Sequence, residues 1–209
     1  MGSTLRHSCR AAVLALVFLL PLRGAALAQN APMPIRPTPE TAAELQRIGA
    51  YLDGIHSMTA SFRQVTSDGQ TSSGHLWVMR PGKMRFQYDP PNQLLMFSDA
   101  FYIYYWDPEL KQMSRVALKT TPAWFLLREP VSFSDDVMVT RLEHTGNTVR
   151  VTVVQSSDPN AGSLTMEFTE NPTVLRQWTV VDPKGKAITV ALSDLQFGMA
   201  LDPNLFQNH

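Results

Sequence analysis

The chain has 209 residues, with 18 basic and 18 acidic side chains, 15 prolines, 10 methionines and a single cysteine. No basic run or patch is present, which argues against nucleic acid as a partner, and one cysteine excludes a disulfide framework. The length suits one folded domain behind a leader.

Arg6 and Arg10 make a basic start, residues 11–20 are an apolar run, and Ala26-Leu27-Ala28 offers small residues for cleavage before Gln29. Residues 1–28 read as an export signal that is removed. A retained anchor is the weaker reading, because the run is too short to span a bilayer and Arg23 breaks the apolar character soon after it. The only cysteine, Cys9, lies in the leader, so the mature chain is expected to be neither lipidated nor disulfide-bonded. Losing Arg6, Arg10 and Arg23 from 18 basic residues, against 18 acidic ones, leaves a net charge of −3.

Residues 29–39 carry Pro32, Pro34, Pro37 and Pro39 and read as an extended, flexible segment, with one folded domain over 40–209. Pro39 suits the first turn of a helix, Thr41 with Glu44 fits a capping box, and Leu45, Ile48, Leu52 and Ile55 form one stripe. These signals predict a helix over about 40–53, ended by Gly54.

Beyond residue 57 the pattern changes to short alternating runs separated by turn residues. Strands are expected over 58–66, 72–80, 83–88, 93–98, 101–106 and 111–116, with Asp68-Gly69, Pro81-Gly82, Asp89-Pro90-Pro91-Asn92 and Asp107-Pro108 as turns. The period then fails. Thr121-Pro122 reads as a cap with proline at the first helical position, and Ala123, Trp124, Phe125, Leu126 and Leu127 are apolar all round, so this helix must be covered. Alternation resumes over 137–143, 148–155, 164–169, 174–181 and 186–195, and Phe197, Leu205 and Phe206 suggest a docked last segment. About eleven strands with short links give a mainly β fold, an antiparallel and strongly curved sheet.

Catalytic chemistry is hard to assemble from these residues. His56, His75, His144 and His209 are scattered without metal-ligand spacing, and no nucleophile elbow, phosphate loop or dinucleotide fingerprint occurs. Asp135 and Asp136 are adjacent and would point opposite ways on a strand, so they read as a solvated loop. No catalytic residue, metal or cofactor is expected, and the chain reads as a non-enzyme.

What stands out is apolar surface on both faces of one strand. Leu76 and Val78 share one face and Trp77 and Met79 the other, followed by Met84, Phe86 and Tyr88 on the next strand. Either protein covers both faces, as with a helix plugging a half-barrel, or one face lines a cavity for something hydrophobic. Arg80 divides the readings. It is a rim arginine, or it turns inward and takes carbonyl acceptors at the end of the 121–128 helix.

Leu76-Trp77-Val78-Met79-Arg80-Pro81, then Phe86, Asp89-Pro90 and Phe97-Ser98-Asp99, resemble the periplasmic outer-membrane lipoprotein carriers. The family's early A-S-F-x-Q stands here as Ala60-Ser61-Phe62-Arg63-Gln64, and its T-P-x-x-x-L as Thr121-Pro122 leading to Leu126. Three features depart from it: Ala100 replaces the glycine of an S-D-G turn, Met84 stands where an aromatic is frequent, and the proline-rich start is long. The alanine puts a left-handed backbone there in question.

The resemblance implies an incomplete antiparallel barrel of about eleven strands, with helices forming a lid over a hydrophobic cavity. Leu76, Val78, Met84, Phe86, Tyr88, Leu94, Met96, Leu164, Met166 and Phe168 would line the cavity and bind acyl chains. Trp124, Phe125, Leu126 and Leu127 would form the lid helix. Arg80 would be the arginine that bonds lid main chain when the carrier is closed and empty. It further implies a periplasmic monomer that takes outer-membrane-directed lipoproteins from an inner-membrane ABC transporter and delivers them to an outer-membrane receptor. The alternatives are a lipid or lipoprotein sensor of the same fold and a lipid-acting hydrolase.

Overall fold

A computed structural model describes residues 32–92 and 94–207, so the leader expected over 1–28 lies outside the described residues. Helix α1 (Pro39–Asp53) begins one turn earlier than its expected cap. The residue before a proline is pushed to extended backbone, and Thr38, before Pro39, takes the cap position at φ −113°. The Thr38 hydroxyl accepts from the Thr41 N–H at 3.2 Å, and the Thr41 hydroxyl accepts from the Thr38 N–H at 2.8 Å. Glu44 is thereby freed from capping and pairs with Arg47 instead. Ile48 and Leu52 are wholly buried and Ile55 nearly so, while Leu45 packs at the margin.

Eleven strands come after it: β1 (Ser57–Thr66), β2 (Thr71–Met79), β3 (Lys83–Tyr88), β4 (Leu95–Asp99), β5 (Tyr102–Asp107), β6 (Gln112–Ala117), β7 (Val137–Thr145), β8 (Thr148–Gln155), β9 (Ser163–Thr169), β10 (Val174–Val181) and β11 (Ala187–Phe197). They form one antiparallel sheet in the order β6-β5-β4-β3-β2-β1-β11-β10-β9-β8-β7. The first and last strands pair in the middle, and β6 and β7 are left as free edges, so the barrel is unclosed. The fifth strand starts at Tyr102 rather than 101 because the Asp99 carboxylate accepts the N–H groups of Phe101 and Tyr102, both at 2.9 Å, and so ties off the turn.

The chain between the two free edges, residues 118–136, lies against the cavity. It holds a 3₁₀ turn at Leu118–Thr120 and the one-turn helix α2 (Trp124–Leu127). Thr121 does not cap α2: its hydroxyl donates back to the Leu118 carbonyl at 2.8 Å and closes the preceding turn, so α2 starts without a side-chain cap.

Residues 32–38 are extended and fixed at Ile35, whose N–H donates to the Val139 carbonyl on edge strand β7 at 2.9 Å. Ile35 also packs on the core, which blunts that edge. At the other end a 3₁₀ turn, Pro203–Phe206, covers the outer face of β3 and β4. Phe206 is buried there and the Arg85 guanidinium donates to the Leu205 carbonyl at 2.9 Å, whereas Phe197 stays half exposed at the end of β11.

Candidate functional site: an apolar cavity under a one-turn helix

Period-two alternation puts Leu76 and Val78 of β2, opposite Phe86 and Met84 of β3, on the concave face. The next pairing puts Met96 of β4 beside Phe86, and the one after it Tyr105 of β5 beside Met96. These side chains line a cavity of about 290 Å³. The seven expected residues Leu76, Val78, Met84, Phe86, Tyr88, Leu94 and Met96 all border it. Leu164, Met166 and Phe168 do not. Met166 and Phe168 are wholly buried in β9, with the Tyr51 ring of α1 edge-on to Phe168 at 6.0 Å, and Leu164 borders a small neighbouring cleft with Trp124 and Phe125. The physical reason is that α1 packs on β9 and the start of β10, with the Tyr51 ring against Phe168 and its hydroxyl accepting from the Leu175 N–H at 3.0 Å, while the concave face of β2 to β5 borders the cavity.

Sequence reasoning missed part of the wall. Ile103 and Tyr105 of β5, Trp178 and Val180 of β10, and Ile188 and Val190 of β11 complete it. The run Phe101 to Trp106 is aromatic or apolar on both faces, so alternation alone gives no inward phase. In β10 and β11 the phase was readable, but pairing between β1 and β11 is what brings them across from β2.

The helix expected to form the lid splits. Leu126 and Leu127 face the cavity, while Trp124 and Phe125 face the small cleft. Arg128 pins this helix from behind, with its guanidinium 4.8 Å from the Trp124 ring centroid and 2.6 Å from the Asp136 carboxylate.

Arg80 turns inward. Its Nε–H donates to the Leu126 carbonyl of α2 at 2.8 Å, and its Nη1 donates to the Leu52 carbonyl in the last turn of α1. Those carbonyls lie where helices run out of internal donors, which is why a cation suits them. Burial lowers the Arg80 pKa, and the nearby charges of Asp53 and Glu129 act against that.

A second set of bonds reinforces the clamp. The Gly82 N–H donates to the Leu127 carbonyl at 2.8 Å, and the Ala100 N–H to the Gly82 carbonyl at 3.0 Å. The wholly buried Ser98 hydroxyl donates to that same Gly82 carbonyl at 2.7 Å and accepts from the Met84 N–H at 3.0 Å. Ala100 keeps the left-handed backbone, at φ +83°, that its lack of glycine put in question.

Among the described residues no cluster of His, Cys, Asp or Glu is placed to hold a metal ion, and no helix is long and apolar enough to cross a membrane. The arrangement is an apolar wall bordered by a one-turn helix that a polar side chain holds in place.

The chain is similar in sequence to several known proteins. An outer-membrane lipoprotein carrier protein of Chromohalobacter salexigens is 28% identical over 170 residues, 77% of this chain and 80% of that one. One of Pseudomonas aeruginosa is 28% identical over 177 residues, covering 80% and 84%, and one of Nitrosomonas europaea is 24% identical over 180, covering 82% and 87%. The crystal structure of a LolA superfamily protein from Nitrosomonas europaea aligns over 78% of this chain and 97% of that one, at 10% identity and a TM-score of 0.45. Residues 53–209 match the model of the family described as outer membrane lipoprotein carrier protein LolA, and on that match the chain belongs to this family.

Proposed function

We propose that this chain is a periplasmic chaperone that shields the acyl chains of lipoproteins. It takes them from an inner-membrane ABC transporter and delivers them to the outer membrane, to a receptor there where one is present. The observation that carries the reading is the cavity beneath α2, apolar over nearly all its wall, with the half-buried Arg80 bonded to main chain of both α1 and α2. Family membership and the names of the relatives support it.

Exposing an acyl chain to water costs about 0.8 kcal/mol per CH₂, so each chain carries on the order of 10 kcal/mol and needs cover in transit. The closed cavity, about 290 Å³, is roughly twice an engineered apolar cavity of about 150 Å³ that takes one benzene. That is room for part of a chain, so loading displaces the lid. Leu126 and Leu127 move off the wall, and the Arg80 bonds to Leu126 and Leu52 are exchanged for contacts with cargo. A lid closed by a few kcal/mol lets a receptor of modestly higher affinity draw the cargo out.

The test is recovery of the protein from the periplasm of an expressing bacterium, with mass spectrometry of what travels with it. Lipoproteins bearing their acyl chains are the expected companions. A protein that emerges empty and hydrolyses lipid esters overturns the reading.

A further inference from the structure

Apart from Arg80 and Thr121, the polar side chains of the cavity wall gather in one cluster. Gln64 of β1, Tyr88 of β3 and Tyr105 of β5 border it together. The Tyr88 hydroxyl donates to the Gln64 side-chain oxygen at 2.8 Å. This bond engages the amide oxygen, and the Gln64 NH₂ group has no hydrogen-bond partner among the described residues. Tyr105 lies close enough to Tyr88 to influence its ionisation, and among the described residues its own hydroxyl has no hydrogen-bond partner. Trp178, 8% exposed on the same wall, has an indole N–H that is likewise unpartnered among the described residues.

The position of the cluster matters as much as its chemistry. Around Arg80 the wall is deep: Met58, Val78, Met84 and Leu127 are all buried. Around Gln64 it opens, since Ile188, two ladder steps beyond Gln64's partner Val190, is 40% exposed. An acyl chain lying with its methyl end toward Arg80 therefore puts its polar end beside Gln64 and Tyr105. The groups waiting there are donors. Burial pushes the Tyr88 pKa up to about 12, with Tyr105 adding to the shift, so Tyr88 keeps its proton and its grip on Gln64 across physiological pH.

We propose that Gln64, oriented by Tyr88, and Tyr105 form a carbonyl-recognition site that binds the acyl carbonyl oxygen of the lipid anchor and so sets how deep the chain sits. The inference rests on the carrier reading above and adds a chemical requirement to it: the cargo is distinguished from a plain hydrocarbon by a carbonyl at the head of the chain. Tyr88 is a positioning residue, acting through Gln64. A donor facing a carbonyl in an otherwise apolar wall favours the ligand that satisfies it over one that leaves it unpaired.

The experiment titrates the periplasm-purified protein with three lipopeptides of equal chain length. One is a dipalmitoyl S-glyceryl-cysteine peptide, the second its diether twin with both ester carbonyls removed, and the third the diether with an N-acetyl group on the cysteine. Two net hydrogen bonds correspond to roughly a tenfold change in affinity. The diester or the N-acetyl diether is expected to bind about tenfold more tightly than the plain diether, and which of the two gains tells ester from amide. In the Gln64→Met/Tyr105→Phe variant all three are expected to bind alike. Equal binding of all three probes to the unaltered protein, or a carbonyl preference that survives in the variant, overturns the carbonyl site and leaves the carrier reading intact. Failure of every probe to bind the unaltered protein overturns both.

Discussion

Arg80 and Leu126 meet through one hydrogen bond, Nε–H to carbonyl at 2.8 Å, and the same guanidinium reaches the Leu52 carbonyl on the other helix. A single side chain therefore ties α1 to α2 beside the cavity. In Arg80→Leu, two charge-assisted bonds of roughly 1.5 to 3 kcal/mol each are lost, partly offset by relief of the desolvation of a buried cation. A net weakening of lid closure by about 2 kcal/mol predicts amide exchange at residues 124–128 that is roughly thirtyfold faster. The variant is expected to load acyl probe and release it poorly to a membrane acceptor. Normal transfer by the variant removes the latch role.

The Pro81-Gly82 turn predicts a sharper effect from a smaller change. Gly82 sits at φ +76°, and a Cβ there would lie 2.4 Å from that of Ala100. Gly82→Ala is expected to cost about 2 to 4 kcal/mol in urea unfolding, from left-handed strain and overlap together. Ala100→Gly has the opposite sign. It relieves the left-handed alanine and is expected to stabilise by about 0.5 kcal/mol, part of the gain being returned as glycine entropy.

Methionines in the two halves of the sheet should respond differently to truncation. Met166 is wholly enclosed, so Met166→Ala is expected to cost about 2 to 5 kcal/mol. Met96 borders the existing cavity and is half-buried, so Met96→Ala is expected to cost below about 1.5 kcal/mol while altering acyl affinity. Urea denaturation of both variants measures the contrast. Equal losses would mean that α1 does not divide the concave face into a packed half and an open half.

Alkaline pH supplies a further test. Burial raises the Tyr88 pKa to about 12 from an ordinary value of 10.0, so the folded state holds this proton more tightly than the unfolded chain does. The stability from this difference is fully present below about pH 10 and is lost as pH rises through 12. Urea midpoints are expected to fall steeply over that interval, and less steeply in Tyr88→Phe. A variant with an unchanged slope would show that Tyr88 does not carry the effect.

Most of the fold was legible because its signals are local. Alternation and turn residues marked all eleven strands to within one or two residues at most ends, and the stripe Ile48, Leu52 and Ile55 marked the buried side of α1. What was not legible depends on contacts distant in sequence. Met166 and Met96 look alike in their strands, and only the seating of α1 on β9 makes one packed core and the other a cavity wall. Arg80 had one foreseeable acceptor region in the 121–128 segment, but its bond to Leu52, 28 positions away, needs the fold. The expected cap at Thr41 failed for a local reason, since the extended backbone imposed on Thr38 by Pro39 outweighed a good Thr-x-x-Glu pattern.

The sheet's strand order has a mechanical consequence. Its spine is the β1–β11 pairing, its two fore-edges are β6 and β7, and the strap between those edges is the segment that carries α2. Parting the fore-edges widens the interior without breaking any interstrand hydrogen bond, so the resistance to swelling resides in the strap and its clasp at Arg80 and Gly82. On the proposed carrier function, capacity and strength are thus separable: the ladders keep the book bound while a few polar contacts decide how far it opens.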